Sequence, residues 1–448
     1  MISAESFLTS SLRSTPEGIS IGRILAASIS AVEPGAVVER FVHREGDLLS
    51  VSGRAYDLKS FRGLRLLGIG KASMAMTEAL AEILGSRLEA GLVIPKHAAT
   101  NTHSQLTILQ GDHPIPGVHS LLAGAKATEF VSSLGQDDLL FCLISGGGSA
   151  LVTAPLEGLS LEDIQALTSA LLGCGARIDE INALRRRLEQ LKGGGLVRLS
   201  NGATIVSLIL SDVVGNPLET IASGPTAPDP TSKSDALALV DKYRLRGKIP
   251  ASILAALEQA PETPKPDDPI FEKVQNVIVG SCLLAAQAAL AQAEMEGFHP
   301  YLLSVDLQGE ARQVAIELVT YLLQVQKTGL PVLPPACIVV GGETTVTIRG
   351  KGKGGRNTEL ALAAVNELAD SSGVMLVTLA TDGEDGPTDA AGAVVTVGTY
   401  HRASALGLHP KDFLSRNDSY TFFTALDDLL KPGPTGTNVN DLVFLFIL

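Results

Sequence analysis

The sequence predicts an α/β protein with two α/β domains and mostly parallel sheets. Short apolar runs alternate with amphipathic stretches whose apolar residues recur at helical spacing. Most of the apolar runs end in a short loop of glycines or polar residues. Strand, loop and helix in repeated succession are typical of parallel sheets, whose ligands bind beyond the carboxyl ends of the strands. We therefore expect the polar loops to converge on one site.

The first half of the chain contains four of the predicted strands. Buried strands are expected at residues 64–69, 92–94, 139–144 and 205–210. The first of them is followed by Met76, Leu80 and Leu84 at helical spacing, which predicts a helix. Ser160, with Asp163 three residues later, is typical of a capping box that opens another helix.

The second half repeats the pattern. Strands are expected at residues 277–279, 337–340 and 375–379. Between the halves, residues 260–269 contain four prolines, which exclude a helix or a central strand there. We therefore predict one domain over residues 1–260 and a second over residues 270–448.

The composition is that of a globular protein with an acidic surface. Hydrophobic residues make up 45% of the 448 residues, and the formal net charge is −13. An acidic surface repels phosphates, so nucleic acid and anionic membranes are not expected as partners. Cys142, Cys174, Cys282 and Cys337 are far apart, which predicts free thiols. With no signal peptide and no apolar span of ~20 residues, we expect a cytoplasmic protein.

Gly68, Gly70 and Lys71 close the first strand. Glycines after a strand suit the approach of a phosphate to a helix N-terminus, and a bound anion would offset the unfavourable helix dipole at Lys71. An ordinary solvated lysine is the alternative. The loop is not a Walker A motif, because Arg65 and Ala72 stand where glycine and Ser or Thr are required.

A run of three glycines follows the strand at residues 139–144. Flexible backbone N–H groups and flanking hydroxyls can surround phosphate oxygens, although a flexible turn is the alternative. The run and its two flanking serines are Ser145, Gly146, Gly147, Gly148 and Ser149.

Carboxylates follow two further strands, and a basic stretch comes after the second of them. Asp212 can hold magnesium or accept a hydroxyl proton, or it can simply form a turn. Glu343 precedes a basic, glycine-rich stretch that ends at Arg356 and Asn357, and the arginine fork matches a carboxylate or a phosphate. A solvated hairpin is the alternative for that stretch.

The last predicted strand ends in an acidic loop that contains Asp382 and Asp385. The spacing differs from that of a calcium-binding EF-hand. A solvated acidic turn is the alternative to a ligand-binding loop.

Together these segments resemble the glycerate 2-kinase family, whose members carry a MOFRL domain at the carboxyl end. The matching segments run in order over nearly the whole chain. They lie at residues 70–72, 113–116, 143–150, 210–215, 221–225, 342–345, 354–357, 381–383, 385–392, 417–419 and 433–441.

The resemblance implies two α/β domains with the active site in the interdomain cleft. It implies ATP-dependent phosphorylation of D-glycerate to 2-phosphoglycerate with Mg²⁺, and a central role for Lys71 and Arg356. The chain departs from the family pattern at Gly117, Arg186, Arg187, Gly195 and Thr358, and we expect Arg187 and Gly195 to alter local contacts to substrate or nucleotide.

We therefore predict Lys71, Arg356 and Asp212 as catalytic residues, with Asp212 and Glu343 as candidate ligands of the metal. The expected substrate and nucleotide contacts are Gly68, Gly70, Ser145, Gly146, Gly147, Gly148, Ser149, Glu343, Asn357, Asp382 and Asp385. The alternatives are an NAD-dependent hydroxypyruvate reductase and a non-enzymatic sensor of small anions. The oligomeric state is left open, with a homodimer as one alternative.

Overall fold

A computed structural model describes residues 2–98, 100 and 103–448. The chain divides into two compact units. The first unit is Pro34–Val279, and the second consists of Gly280–Leu448 together with Met1–Glu33. This division differs from the predicted domains 1–260 and 270–448 at both ends of the first domain.

The strands are short, and each predicted strand ends within two residues of its predicted end, but β5 and β9 begin four and three residues earlier than predicted. They are β1 Val42–Glu45, β2 Leu48–Val51, β3 Arg54–Asp57, β4 Gly63–Ile69, β5 Leu88–Ile94, β6 Leu106–Ile108, β7 Asp138–Ile144, β8 Thr204–Leu210, β9 Val274–Gly280, β10 His299–Leu307, β11 Ala336–Gly342, β12 Val374–Ala380, β13 Gly392–Thr396, β14 Leu429–Leu430 and β15 Asp441–Ile447.

Helices connect most of these strands. They are α1 Ser10–Arg13, α2 Gly18–Ser30, α3 Pro34–Phe41, α4 Ser73–Leu84, α5 Val118–Ser132, α6 Gly148–Leu151, α7 Leu161–Gly173, α8 Ile178–Leu188, α9 Gly195–Leu199, α10 Lys233–Lys242, α11 Ala251–Gln259, α12 Cys282–Met295, α13 Ala311–Thr328, α14 Arg356–Glu367, α15 Val397–Ala405, α16 Pro410–Ser415 and α17 Ser419–Leu426. Short 3₁₀ turns occupy Ala4–Phe7, Leu58–Ser60, Gly85–Arg87, Ile221–Ser223 and Pro269–Lys273.

The main sheet of the first unit has the strand order β6-β5-β4-β7-β8-β9. The pairs from β6 to β8 are parallel, as predicted. Ile69 pairs with Ile94 and Ile144, and Ile144 pairs with Ile209. Four strands therefore end in one row, and the loops that follow them start at the same edge. A separate antiparallel sheet, β1-β2-β3, belongs to the same unit.

The sheet of the second unit has the order β10-β11-β15-β12-β13-β14 and is mixed. The expectation of a mostly parallel sheet is wrong for this unit, because the last strand of the chain returns antiparallel between β11 and β12. Its first residue, Asp441, pairs with both Gly342 and Ala380, the last residues of those two strands. The insertion thus places a carboxylate between two strand ends.

The amino-terminal segment packs on the second unit. Helix α2 lies against α12, where Arg23 forms an ion pair with Glu296 at 2.6 Å. The amide of Ser11 donates to the buried carboxylate of Asp428 at 2.8 Å. The hydroxyl of Thr437 donates to the backbone carbonyl of Val32 at 2.7 Å. These contacts explain why the first 33 residues do not join the first unit.

The proline-rich segment at residues 260–269 is held by the first unit and does not separate the two units. The hydroxyl of Thr263 donates to Asp229 at 2.8 Å, and the amide of Asp229 donates to the carbonyl of Pro264 at 2.9 Å. Arg187 binds Glu262 at 2.6 Å. Chain composition showed that no helix forms here, but it did not show where the segment packs.

The local predictions for helices are confirmed. Helix α4 follows β4, and α7 begins with a reciprocal capping box between Ser160 and Asp163. In the described part of the chain no single helix is long and apolar enough to cross a membrane. Helices α2 and α3 pass that test of length and composition only as a bent pair.

Candidate functional site

In the first unit the loops after β4 and β7 lie in direct contact. The amide of Lys71 donates to the carbonyl of Gly146 at 2.9 Å. The amide of Ala72 donates to the hydroxyl of Ser145 at 3.0 Å. A Cβ at Gly70 would lie 2.2 Å from that hydroxyl oxygen, so this position excludes a side chain. The glycine therefore permits the contact, and the contact fixes the backbone on which Lys71 stands.

Asp212, Lys71 and His113 surround the glycine run. A Cβ at Gly146 would lie 2.0 Å from a carboxylate oxygen of Asp212. A Cβ at Gly147 would lie 3.1 Å from the His113 ring and 3.3 Å from Cε of Lys71. Lys71 is exposed, and Asp212 and His113 are partly buried. The first unit thus brings the predicted Lys71, Asp212 and glycine run together.

Burial, with the positive charges of Lys71 and Lys96, lowers the pKa of His113 to about 4. The imidazole is therefore neutral at physiological pH. A neutral ring beside an exposed ammonium can accept a hydrogen bond without adding a second positive charge. His113 was not among the predicted site residues.

Both hydroxyls of the glycine loop are bound to protein groups. Ser145 accepts from Ala72, and Ser149 shares a hydrogen bond of 2.8 Å with Ser223. The hydroxyl of Ser223 donates to Asn182 at 3.2 Å. The loop therefore presents backbone N–H groups to a ligand more readily than hydroxyl groups.

Gly68 and Gly148 have packing roles at their positions. Gly68 lies within β4, and a Cβ there would stand 2.8 Å from the hydroxyl of Thr77 on α4. A Cβ at Gly148 would stand 2.8 Å from Cβ of Ala222. The absence of a side chain lets α4 pack against Gly68 and lets Ala222 pack against Gly148.

In the second unit Arg356 is the centre of a charged group. It is the first residue of α14 and binds Asp441 through two nitrogens, with the Nη2–Oδ1 distance at 3.2 Å. Its Nη1 donates to Glu343 at 2.5 Å. Among the described residues these bonds use three of the five N–H donors of a guanidinium. Because the side chain is 32% exposed, the other two donors can serve a ligand.

Burial and ion pairing act in opposite directions on this group. Burial raises the pKa of Asp441 to about 6, although Arg356 opposes the rise. For Arg356, burial disfavours the charged form, but the bonds to Asp441 outweigh it and hold the pKa above its usual value. The guanidinium therefore stays charged at every physiological pH, whereas Asp441 can take up a proton near the lower end of that range.

Asp385 organises the start of α14. Its carboxylate accepts from the amides of Asn357 at 3.0 Å and Thr358 at 2.7 Å, and from the hydroxyl of Thr358 at 2.7 Å. A Cβ at Gly355 would lie 2.3 Å from the same carboxylate. Burial raises the pKa of Asp385, and these hydrogen bonds oppose the rise. The geometry thus gives Asp385 and Asn357 a role in placing Arg356.

Asp382 lies in the turn that leads to Asp385. Its carboxylate accepts from the amide of Glu384 at 3.1 Å, and its backbone carbonyl accepts from Thr435 at 3.1 Å. The side chain is partly exposed. Asp382 therefore shapes the acidic loop and keeps access to solvent.

Among the described residues, neither unit contains a complete set of metal ligands. In the described part of the chain no group of three or more His, Cys, Asp or Glu side chains could hold a metal ion. Magnesium in nucleotide sites is commonly held by one or two carboxylates plus substrate phosphates. The partly buried Asp212, beside the glycine loop, fits that arrangement. Glu343 is bound to Arg356 and fits it less well.

Two of the departures from the family pattern have structural roles. Arg187 is buried and binds Glu262 together with the carbonyl of Thr231. A Cβ at Gly195 would lie 2.1 Å from the carbonyl of Gln190, so no side chain fits there.

Sequence reasoning missed Asp441, His113, Ser223 and Asn182. Asp441 precedes an apolar run of seven residues at the end of the chain, which is the signal of one more buried strand. His113 begins the segment His113-Pro-Ile-Pro116, which carried no chemical signal by itself. Ser223 and Asn182 act through contacts distant in sequence, which no local pattern reveals.

Comparison with known proteins covers most of the chain. Residues 20–258 match the family described as a domain of unknown function, DUF4147, and residues 336–441 match the MOFRL family. A Pyrococcus horikoshii protein named glycerate 2-kinase is 37% identical, with 95% of this chain and 96% of that protein covered. An Agrobacterium vitis relative labelled hydroxypyruvate reductase is 40% identical, with 85% and 86% covered.

A solved structure agrees with these sequence matches. The crystal structure of glycerate kinase from Thermotoga maritima has a TM-score of 0.87 and 37% identity to this chain. The match covers 97% of this chain and all of that chain. The fold of both units is thus found in a protein of that name.

Asp441→Asn tests the buried carboxylate. The folded protein keeps the Asp441 proton up to about pH 6, whereas the unfolded chain releases it near pH 4. The carboxyl group therefore contributes more to the free energy of unfolding at low pH, and less as the pH rises through 6. Between about pH 4.5 and about pH 7 the free energy of unfolding of the parent should fall by on the order of 2 kcal/mol relative to that of the variant.

Urea unfolding of the parent and the variant at both pH values measures this difference. A difference that stays constant, or that grows in favour of the parent with rising pH, would contradict the raised pKa of Asp441.

Proposed function

The chain belongs to the glycerate 2-kinase family, in which a DUF4147 region is followed by a MOFRL region, and we propose that it transfers the γ-phosphoryl group of ATP to the 2-hydroxyl of D-glycerate. The observation that carries the proposal is Arg356, a charged guanidinium with donors left for a small anion. Phosphoryl transfer depends mainly on positioning and on charge stabilisation, and cations such as Lys71 and Arg356 supply the latter.

The glycine loop of the first unit is the proposed binding element for the nucleotide phosphates. Its two hydroxyls are engaged by Ala72 and Ser223, so backbone N–H groups of residues 146–149 remain for phosphate oxygens. Lys71 is exposed beside the loop and would neutralise charge on the transferring phosphoryl group. Preorganised donors of this kind favour the transition state because they need no reorientation during the reaction.

Arg356 is the proposed binding residue for the glycerate carboxylate. Glycerate offers little apolar area, so its carboxylate must supply much of the affinity. Asp441 and Glu343 hold the guanidinium from two sides and fix its plane. A planar fork that binds both carboxylate oxygens would leave the 2-hydroxyl pointing in one direction.

Near the glycine loop, Asp212 is the proposed ligand of Mg²⁺, and His113 is the proposed partner of the glycerate hydroxyl. Asp212 would hold Mg²⁺ together with nucleotide phosphates, and the ion would neutralise phosphate charge when bound. His113 is neutral at physiological pH, so its ring can accept a hydrogen bond from the glycerate hydroxyl and orient it.

The proposed setting is the cytoplasm. The cysteines Cys142, Cys174, Cys282 and Cys337 are free thiols, which is typical of a reducing compartment. A kinase that uses ATP also needs a compartment that contains it.

The reductase alternative has less support from the first unit. A dinucleotide-binding loop needs a third glycine, where this chain has Ser73, whose hydroxyl donates to the carbonyl of Gly70 at 2.8 Å. The next strand, β5, is followed by Pro95 and Lys96 in place of an acid for the ribose. A sensor of small anions would not require Lys71 and Asp212 beside a glycine run.

The reaction class is tested with purified protein in two parallel assays. One contains D-glycerate, ATP and magnesium, and the other contains hydroxypyruvate and NADH. ADP should form only when glycerate and the divalent cation are both present, and a chelator should stop it. Oxidation of NADH with hydroxypyruvate, without any formation of ADP, would refute the kinase.

Arg356→Lys tests the carboxylate pocket. Lysine keeps the positive charge but cannot bind Asp441, Glu343 and a carboxylate through one planar group. We expect the KM for glycerate to rise at least about tenfold, which corresponds to the loss of one charge-assisted contact, and the KM for ATP to change little.

Arg402→Lys is the matched control. Arg402 lies in the same unit, is 35% exposed and pairs with the buried Asp428. The Arg402→Lys variant should be less stable than the parent, without a selective change in the KM for glycerate or for ATP. If Arg356→Lys raises the KM for ATP and leaves that for glycerate unchanged, Arg356 serves the nucleotide.

A further inference from the structure

Glu189 and Lys192 form a buried ion pair in the first unit, away from every predicted site residue in sequence. Glu189 follows α8, and Lys192 lies three residues later, before α9. Their side chains are only 2% and 4% exposed. Burial of an ion pair is costly, and the attraction repays it only when further hydrogen bonds satisfy both groups. The additional partners therefore indicate what the pair holds in place.

One partner lies within α6, the short helix that begins at the last glycine of the run, and the other lies just beyond that helix. The ammonium of Lys192 donates to the backbone carbonyl of Ser149 at 2.8 Å. The carboxylate of Glu189 accepts from the amide of Ala154 at 3.1 Å. The pair thus links the end of the glycine loop to the chain beyond α6.

The same segment also holds the opposite side of Ser149. The amide of Gly193 donates to the carbonyl of Ser223 at 2.9 Å, and the amide of Gly194 donates to that of Gly224 at 2.8 Å. The hydroxyl of Ser223 binds that of Ser149. Residues 189–194 therefore hold Ser149 in two ways. Lys192 binds its carbonyl directly, and Gly193 binds Ser223, whose hydroxyl contacts that of Ser149.

The backbone that Gly193 and Gly194 bind is strained. Ala222 and Ser223 have φ of 49° and 62°, in the left-handed region that residues with a Cβ seldom adopt. Such a conformation persists only when its surroundings hold it, and it is concentrated at functional sites. Ala222 also touches the position where Gly148 has no side chain. The contacts from residues 189–194 thus maintain a particular loop conformation.

We propose that Glu189 and Lys192 are positioning residues, which hold the glycine loop at residues 146–149 in the conformation that takes the nucleotide phosphates. The role rests on the proposed function, since it concerns the nucleotide side of that reaction. Neither side chain reaches solvent, so they act through Ser149 and Ala154 and not on the substrate.

The double variant Lys192→Met/Glu189→Gln tests this role. It removes both buried charges together, so neither is left unpaired, and it keeps an acceptor for the amide of Ala154. Because the variant loses the contact to the Ser149 carbonyl and the link between the two side chains, the KM for ATP should rise at least about tenfold and kcat should fall, while the KM for glycerate stays within about twofold. Amide hydrogen exchange in residues 147–152 should become at least about tenfold faster.

Arg62→Met/Asp138→Asn is the matched control. Asp138 is a buried carboxylate at the other end of β7, where it pairs with Arg62 at 2.7 Å, far from the strand end that leads to the loop. The control should leave both KM values and the exchange of residues 147–152 unchanged.

Unchanged exchange and an unchanged KM for ATP in the test variant would overturn the positioning role. So would an equal rise in both KM values with a lowered melting temperature, because that result indicates general destabilisation. Hydrogen exchange needs no substrate. If the parent does not phosphorylate glycerate, the proposed function fails, and the exchange comparison still decides whether the pair holds the loop.

Discussion

Close contact between the loops at the strand ends is the constraint on which both units depend. In the first unit Gly146 lies where any side chain would displace the carboxylate of Asp212. In the second unit Gly355 lies equally close to Asp385. The carbonyl of Gly146 accepts a hydrogen bond from the amide of Lys71, and Gly355 directly precedes Arg356, so each glycine lies beside a predicted cation. Absence of a Cβ is therefore what allows charged groups to gather at the sheet edge.

Each unit also balances buried charge with defined partners. Arg356 forms an ion pair with Asp441, and Lys192 forms one with Glu189, but desolvation opposes both pairs, so neither contributes much to the stability of the fold. Each pair instead fixes the orientation of another group. Asp441 fixes the plane of a guanidinium, and Lys192 fixes a carbonyl of the glycine loop.

Much of the fold was predictable because its signals are local. Apolar runs that end in glycines or polar residues predicted β4, β7 and β8 to within one residue, and a two-residue pattern predicted the cap of α7. The parts that were missed depend on pairing between distant segments. The return of β15 between β11 and β12 made the second sheet mixed, and it placed Asp441 against Arg356.

The division into units was unpredictable for the same reason. The proline-rich segment at residues 260–269 has the composition of a linker, yet Asp229 and Arg187 anchor it to the first unit. For the site, the residue types and the loops could be read from the sequence. The engagement of Ser145 and Ser149 by Ala72 and Ser223 could not, since it depends on the folded contacts of both hydroxyls.

The position of the phosphate on the product tests the central claim most directly. A planar guanidinium that holds both oxygens of the glycerate carboxylate leaves the 2-hydroxyl as the acceptor of the phosphoryl group. Phosphorus NMR of the product formed from D-glycerate and ATP should therefore show 2-phosphoglycerate. Formation of 3-phosphoglycerate, or of no phosphorylated glycerate at all, would contradict the account.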